Sequence, residues 1–192
     1  INSLSMDNVS VDQAGGTNAI NLVGSTTTVD SSFSLTDVSS TNSSANGINI
    51  DDFDGITTLS LTAQDNINVS ANTGDGLVLG SSLGTTDIEI DGITATDGGG
   101  AGINVASGAA STVNITSVDV TNNADGIKLA TGASVTANID QSQIVNNTNA
   151  GVDATGFANS ITVNVTESTV QQNDIGVDFG TSGNKLVSDI NN

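Results

Sequence analysis

The residues of this sequence best suited to binding a metal ion lie in a short acidic turn. Asp51, Asp52 and Asp54 fall within the heptapeptide NIDDFDG, where three carboxylates and nearby backbone carbonyls offer the oxygen ligands that Ca²⁺ prefers. An EF-hand loop aligned on the glycine of this turn would also need acids at Ile50 and Leu61, which are apolar. The three aspartates therefore form a candidate weak calcium site, and a solvated acidic turn is the alternative.

A second metal-binding pattern nearly matches the stretch GGGAGINVA. From Gly99 onward it follows the calcium-binding nonapeptide G-G-x-G-x-D-x-U-x, except that Asn104 stands where the acid belongs. That motif binds calcium in tandem copies, and neither the nine residues before nor the nine after repeat it. We therefore interpret the stretch as a turn that leads into a short strand, with Asn104 facing outward.

Catalytic chemistry has few candidates, because the chain contains no His, Arg or Cys. Two carboxylates can hydrolyse a glycoside, and Asp153 and Asp178 are one pair of suitable type. Nothing in the surrounding sequence distinguishes an acid from a base, and no aromatic residue that would hold a sugar ring accompanies them. Lys128 is better explained by a weak surface ion pair with Asp153. We predict no catalytic residue and no enzymatic activity.

The charge balance excludes several classes of partner. The 192 residues carry 21 acids and two lysines, for a net charge of −19. Such a surface repels nucleic acid and anionic membranes, because phosphate binding depends on Lys and Arg. Without Cys or His there is no disulfide framework and no ordinary zinc site. No apolar run is long enough to insert into a membrane.

The apolar residues recur with a period, which argues against a disordered chain. The tetrapeptide G-h-x-h, in which h is apolar, begins at Gly47, Gly76, Gly102, Gly126, Gly151 and Gly176, with a related copy at Ala19. Successive glycines are 29, 26, 24, 25 and 25 residues apart. This regular spacing is typical of repeat proteins.

Each period contains two further stretches in which apolar and polar residues alternate, and such alternation with β-branched residues predicts strands. Short strands cannot bury their apolar faces alone, but they can when successive coils stack in parallel. The absence of Pro agrees, since every N–H is then needed in a ladder. We predict an all-β solenoid of about seven coils, each of roughly 25 residues with three short strands. Only the segment from Leu61 to Ile67 needs about three extra residues.

The segments VDVTNNADGIKL and QIVNNTNAGVDA resemble the repeat of the right-handed parallel β-helix, the fold of pectate-lyase-like proteins, autotransporter passengers and many bacterial adhesins. The resemblance covers nearly the whole chain and is specific for the fold, which hosts enzymes, adhesins and stalks. It implies that a lyase would use an Arg base with Asp-bound calcium and that a related hydrolase would pair Asp with His. This chain has neither Arg nor His.

Polar residues precede each tetrapeptide in register. One position is shared by Asn72, Gly98, Asn123, Asn147 and Asn173. Stacked amides hydrogen-bond along such a column, so we predict that the four asparagines form a structural ladder. Asp75 and Asp125, each directly before a repeat glycine, are predicted to be turn residues, of a type that tolerates a left-handed backbone, rather than metal ligands.

We expect residues 1–192 to form one β-helix domain, a segment of a longer chain or of a stacked assembly. The expected function is that of a non-catalytic stalk, adhesin segment or fibre-forming subunit, extracellular or at a bacterial cell surface. The expected partners are other copies joined end to end or neighbouring repeats, with no cofactor unless calcium binds. A polysaccharide lyase or hydrolase and a calcium-dependent binding module remain the alternatives.

Overall fold

Every regular element of the described chain is a β-strand. The structure is a computed structural model that describes residues 3–12, 15–16, 18–24, 32–51, 58–80, 87–106, 110, 112–130, 134–155, 160–180 and 185–189. The strands are β1 (Ser3–Asp12), β2 (Ile20–Val23), β3 (Ser32–Thr41), β4 (Ile48–Asp51), β5 (Thr58–Ser70), β6 (Leu77–Leu79), β7 (Asp87–Thr96), β8 (Ala101–Val105), β9 (Thr112–Thr116), β10 (Asp119–Thr121), β11 (Asp125–Leu129), β12 (Val135–Asp140), β13 (Gln143–Val145), β14 (Ala150–Asp153), β15 (Ile161–Thr166), β16 (Thr169–Gln171), β17 (Ile175–Asp178) and β18 (Lys185–Asp189). Among these residues no helix is long and apolar enough to cross a membrane.

The strands stack as a parallel β-solenoid, which confirms the predicted fold class. The first sheet has 11 strands and runs β1-β3-β5-β7-β9-β12-β15-β18, with β10, β13 and β16 forming a second arm beside this path. The second sheet has seven strands in the order β2-β4-β6-β8-β11-β14-β17. Each strand pairs with its counterpart one coil away, as in the register of Ile127 with Ile103 and Val152.

The number of turns is smaller than predicted. The solenoid has about five turns rather than seven. The seven strands of the second sheet include two edge strands, β2 and β17, so only five have neighbours on both sides. From β9 to β17 each coil has three separate strands, as predicted. Nearer the N-terminus the first two strands merge into one strand of 10 to 13 residues, namely β1, β3, β5 or β7.

Two corners of each coil are turned by residues with a left-handed backbone. The first corner, with φ from 45° to 74°, is formed by Asn8, Asp37, Gly92, Ser117, Gln141 and Glu167. The second, with φ from 52° to 59°, is formed by Asn42, Ala71, Asp97, Asn122, Asn146 and Gln172. Asn and Asp enter this region at lower cost than other residues with a Cβ atom, because their side chains hydrogen-bond locally. The corners redirect the chain around the core. From β9 onward the first corner separates two strands, whereas Asn8, Asp37 and Gly92 lie within the merged strands β1, β3 and β7.

Asp75 and Asp125 belong to a residue type that tolerates a left-handed backbone, but neither has a positive φ. Their carboxylates instead accept hydrogen bonds from the following coil. Asp75 Oδ1 accepts from the Ala101 N–H at 2.7 Å, and Asp125 Oδ1 accepts from the Ala150 N–H at 3.2 Å. The turn residue lies three or four positions earlier, so the glycine after each aspartate is needed for another reason.

That reason is close packing between coils. A Cβ atom on Gly47, Gly76, Gly102, Gly126 or Gly151 would lie 2.3–3.1 Å from the carbonyl oxygen of the corresponding glycine in the next coil. Branched core side chains close the same space: the Gly126 Cβ would also lie 2.5 Å from Ile144 Cγ2. Only glycine lets the second sheet approach this corner so closely.

The core is a narrow column of Ile, Val, Leu and Ala side chains between the two sheets. One row, Ile48, Leu77, Ile103, Ile127 and Val152, is at most 1% exposed. Each such burial contributes about 1.5–3 kcal/mol.

The extra residues predicted between Leu61 and Ile67 appear as a shift in register between β5 and β7. Leu61 pairs with Ile90 and Ile67 pairs with Ile93, so six residue steps along β5 correspond to three along β7. The insertion leaves both flanking apolar positions buried.

Candidate functional site

The candidate calcium site is only partly described by the structure. Asp51 ends β4 and is half-buried, while Asp52 and Asp54 lie outside the described residues. The Asp51 carboxylate packs over the next coil, where a Cβ atom on Gly80 would lie 2.1 Å from Asp51 Cγ. Within the described ranges no three acidic side chains converge in a way that could hold a metal ion. The calcium site therefore stays a prediction.

Three of the four predicted ladder residues form one hydrogen-bonded column, which we call the inner amide column: Asn123, Asn147 and Asn173. Asn147 Oδ1 accepts from the backbone N–H and the Nδ2 of Asn123, at 3.0 and 3.3 Å. Asn173 Oδ1 accepts from the same two groups of Asn147, at 2.9 and 3.0 Å. Each Nδ2 also reaches a strand carbonyl, as Asn147 Nδ2 does to Val120 O at 3.3 Å. Each side-chain amide thus accepts a hydrogen bond from a backbone N–H of a neighbouring coil and donates one to a backbone carbonyl of a neighbouring coil.

Asn72 stands apart from this column. Gly98 occupies the intervening position, and its N–H donates to Asn123 Oδ1 at 2.9 Å. Asn72 Oδ1 accepts instead from the Ser43 N–H at 3.0 Å and the Ser40 hydroxyl at 3.4 Å. Because Gly98 has no side-chain amide, the four asparagines do not form one continuous column. Asn123, Asn147 and Asn173 bond to one another, and Asn72 bonds to serines.

The sequence reasoning missed a parallel set of serine hydroxyls at the other corner. The Val118 N–H donates to Ser142 Oγ at 3.2 Å, and the Ser142 N–H donates to Ser168 Oγ at 3.0 Å. Both serines are buried, at 2% and 4% exposed. The available signal was that serine replaces Ile93 and Val118 at an apolar position of the repeat. A buried hydroxyl at such a position needs a backbone partner.

Lys128 lies on the outward face of the second sheet between Asn104 and Asp153, with which it is in register. Its Nζ is 3.9 Å from Asp153 Oδ2, and the Lys128 side chain is 41% exposed. Asn104 Nδ2 donates to Asp75 Oδ2 at 2.7 Å, while Asn104 Oδ1 is buried without a hydrogen-bond partner. The ion pair is long and exposed, so its contribution to stability is small.

The two carboxylates that would suit a glycosidase each accept a hydrogen bond from the turn that follows them. Asp153 Oδ1 accepts from the Thr155 N–H at 3.0 Å, and Asp178 Oδ1 accepts from the Gly180 N–H at 2.8 Å. The two aspartates are paired in register on adjacent strands of the second sheet. Both accept the same kind of turn hydrogen bond, and this geometry does not assign one the role of acid and the other that of base.

A polar depression of about 410 Å³ lies on the outer face of the first sheet. Its walls include Ser60, Glu89, Asp91, Asn114 and Thr116, and the Ser60 hydroxyl donates to Glu89 Oε2 at 3.2 Å. The lining holds neither a basic residue nor an aromatic ring. It therefore lacks the groups that bind acidic sugars or stack against sugar rings.

Beside this depression runs a second stack of amides, which we call the outer amide column: Asn114, Asn138 and Asn164. Asn138 Nδ2 donates to Asn114 Oδ1, and Asn164 Nδ2 donates to Asn138 Oδ1, both at 2.7 Å. On the same face the Thr166 hydroxyl donates to Asp140 Oδ1 at 2.6 Å. Polar side chains on this outer face thus bond to one another from coil to coil.

Comparison with known proteins identifies no relative: no protein-family model matches the chain, and no curated protein or solved structure matches it. The parallel β-solenoid is shown by the arrangement of the strands themselves.

Proposed function

We propose that this protein is a non-catalytic structural segment of a β-helix protein, an adhesin-type stalk or fibre-forming subunit that is extracellular or on a bacterial surface. One observation carries the proposal: the polar side chains bond from coil to coil rather than converge on a common centre. The inner amide column and the serines beside it are the main examples. Side chains arranged in this way stabilise the stack of coils.

Within this proposal the chain is a relative of the right-handed β-helices of autotransporter passengers and bacterial adhesins. The parallel stacking and the resemblance of the repeat support this assignment, and right-handed crossovers are the general rule for parallel strands. The acidic, cysteine-free composition agrees with a solvated extracellular surface.

Deleting one coil tests the stalk. Removing residues 126–150 joins Asp125 directly to Gly151, which restores the Asp-Gly dipeptide and keeps the apolar rows in register. Because a solenoid is stabilised by nearest-neighbour contacts, we expect the variant to fold. Small-angle scattering should show a rod shorter by about 4.8 Å. Loss of the folded state by circular dichroism would contradict a modular stalk. Deleting residues 126–137, half a coil, is the control and should prevent folding.

An assay for polysaccharide cleavage separates the stalk from the enzyme alternative. We expect the purified protein to release no unsaturated product or reducing end from acidic polysaccharides. Cleavage that is lost in Asp153→Ala would overturn the proposal and favour a lyase or hydrolase.

A thermal melt with and without a chelator separates the stalk from a calcium-dependent module. Asp51 packs against Gly80 of the next coil, a contact that needs no ion. We expect the same melting temperature in excess EDTA and in millimolar Ca²⁺. A melting temperature that rises in Ca²⁺ for the wild type but not for Asp52→Asn would instead identify the acidic turn as a calcium site.

A further inference from the structure

A buried side-chain oxygen on the outward face of the second sheet has no hydrogen-bond partner among the residues that the structure describes. It is Oδ1 of Asn104. Asn104 is in register with Val78 on one neighbouring strand and with Lys128 on the other. Because Val78 is apolar, Lys128 is the in-register neighbour with a polar side chain. A buried polar atom without a partner calls for an explanation, and Lys128 is the first place to look for one.

The nitrogen of the same amide is already held by a carboxylate. Asn104 Nδ2 donates to Asp75 Oδ2 at 2.7 Å, while Asp75 Oδ1 accepts from the Ala101 N–H at 2.7 Å. Both oxygens of Asp75 are therefore engaged, and they fix the orientation of the Asn104 amide. Groups that are positioned before they react lose little freedom in the reaction, which lowers its barrier.

The Lys128 amine lies beside this amide and is loosely held. Its Nζ is 3.9 Å from Asp153 Oδ2, and the Lys128 side chain is 41% exposed. Asn104 and Asp153 flank Lys128 on the two neighbouring strands, each about 4.8 Å away. Rotation of the flexible lysine stem therefore carries Nζ from the Asp153 carboxylate to the Asn104 amide.

We propose that Lys128 and Asn104 form an intramolecular isopeptide bond, which joins β8 and β11 covalently. Lys128 Nζ gives one proton to water and attacks Asn104 Cγ as a neutral amine. The Nζ–Cγ bond forms and the Cγ–Nδ2 bond breaks. Asp75 Oδ2, which is bonded to Nδ2, takes a second proton from Nζ and passes it to Nδ2. The products are one secondary amide and one molecule of ammonia, with no change of oxidation state.

Asp153 is the competing acceptor for the amine, although its carboxylate is the poorer one. A negative charge on the carboxylate resists attack by a nucleophile, whereas the Asn104 amide is neutral. Asp153 Oδ1 also accepts from the Thr155 N–H at 3.0 Å. A bond from Lys128 to Asp153 would release water instead of ammonia, so the mass of the product distinguishes the two acceptors.

The proposed bond closes a covalent loop around one coil of the solenoid. It forms once in each molecule and consumes both side chains, so it is a modification of the chain and not a turnover reaction. It goes beyond the stalk function and does not depend on it, since the stack of coils is held by its strands and core whether or not this bond forms.

The scarcity of lysine makes the test direct. The chain contains Lys128, Lys185 and no arginine, so trypsin can cleave the denatured chain only after these two residues. An isopeptide bond at Lys128 blocks the first cleavage. We expect the wild type to yield the fragment 1–185, and its intact mass to lie below the sequence mass by one molecule of ammonia.

Lys128→Arg is the matched control, because arginine keeps the positive charge beside Asp153 but forms no isopeptide bond. It should show the full sequence mass and the fragments 1–128 and 129–185. Asn104→Ala should behave in the same way. Asp75→Asn keeps an acceptor for the Ala101 N–H and should lower the cross-linked fraction of freshly purified protein. Lys185→Arg should leave that fraction unchanged.

Full sequence mass and complete cleavage after Lys128 in the wild type would overturn the proposal. A loss of ammonia that persists in Lys128→Arg would also overturn it, because a succinimide formed at an asparagine loses ammonia as well. Loss of one water would overturn the choice of Asn104 and identify Asp153 as the acceptor. An undiminished cross-linked fraction in Asp75→Asn would overturn the role of Asp75. None of these results bears on the stalk function, which the coil deletion and the cleavage assay test separately.

Discussion

At the scale of single residues, small polar side chains of this protein accept hydrogen bonds from buried backbone N–H groups. An asparagine or serine beside a corner supplies the hydrogen-bond acceptor that the neighbouring coil needs. Most left-handed corner positions are held by residues that tolerate this backbone, but Ala71, with a φ of 52°, is not one of them. The corner at Ala71 is therefore strained by an amount that substitution can reveal.

We expect Ala71→Gly to stabilise the protein by about 0.5–1 kcal/mol, because glycine adopts a positive φ without steric cost. Ala71 is exposed and its side chain makes no core contact that would be lost. Ala130→Gly is the control, since Ala130 has no positive φ and glycine there should destabilise by about 0.5–1 kcal/mol. Denaturant unfolding measures both, and effects of the same sign would contradict the assignment of strain.

The inner amide column should be far more sensitive than the outer one. Asn147 is 2% exposed, and its Oδ1 accepts from two groups of Asn123. Asn147→Ala leaves the Asn123 N–H buried without a partner, so we expect a loss of about 3 kcal/mol. Asn138→Ala in the outer amide column should cost less than about 1 kcal/mol, since water can replace the lost bond. Equal losses of unfolding free energy in the two variants, measured by chemical denaturation, would show that burial does not determine how much an amide stack contributes to stability.

At the scale of elements, the repeat glycines determine how closely successive strands of the second sheet can pack. Each interior glycine faces the carbonyl of the next coil, and at Gly76, Gly102, Gly126 and Gly151 a Val or Ile side chain also closes the space. The same residue type thus has opposite tolerance to substitution in the middle and at the end of one sheet.

We expect Gly126→Ala to destabilise the protein by about 3 kcal/mol, because its Cβ atom would lie 2.3 Å from the Gly151 carbonyl oxygen and force the coils apart. Gly176→Ala is the matched control and should change the stability of the monomer by less than about 0.5 kcal/mol, with its Cβ in open space. The comparison is made by thermal and urea unfolding at low salt. A loss at Gly176 as large as that at Gly126 would contradict the packing explanation.

The periodic features of this fold were predictable from sequence, and the local backbone was not. The 24–29-residue spacing of the glycines places every strand of the second sheet, because stacking requires equal coils. The left-handed backbone lies three or four residues before Asp75 and Asp125, and the sequence could not place it, since an aspartate before a glycine suits either a turn or a backbone acceptor. The sequence shows that Ser142 and Ser168 stand at an apolar position of the repeat, but their hydrogen bonds depend on which atoms face each other across coils.

At the scale of the whole molecule, a thin core must hold together a strongly charged surface. Most ionisable groups are acidic: the chain has 21 acids and two lysines, one of which, Lys128, pairs with Asp153. Mutual repulsion of the carboxylates lowers the stability of the compact state relative to the unfolded chain. Screening by salt reduces that repulsion.

We therefore expect the melting temperature to rise by roughly 5 °C between 0.01 and 0.5 M NaCl, as screening weakens the repulsion. The measurement is thermal unfolding followed by circular dichroism, at one low protein concentration throughout. A melting temperature that is independent of salt would show that the carboxylates are too widely spaced to affect stability.

The parallel register of neighbouring coils also determines how the molecule would respond to a pulling force. Each coil is held only by the coils above and below it, so tension applied at one end breaks one set of ladder bonds before the next is loaded. A coil of 25 residues, such as Gly126–Ala150, spans about 85 Å when extended, against about 4.8 Å when stacked. The solenoid would therefore lengthen in discrete steps and dissipate mechanical work while its remaining coils stayed folded.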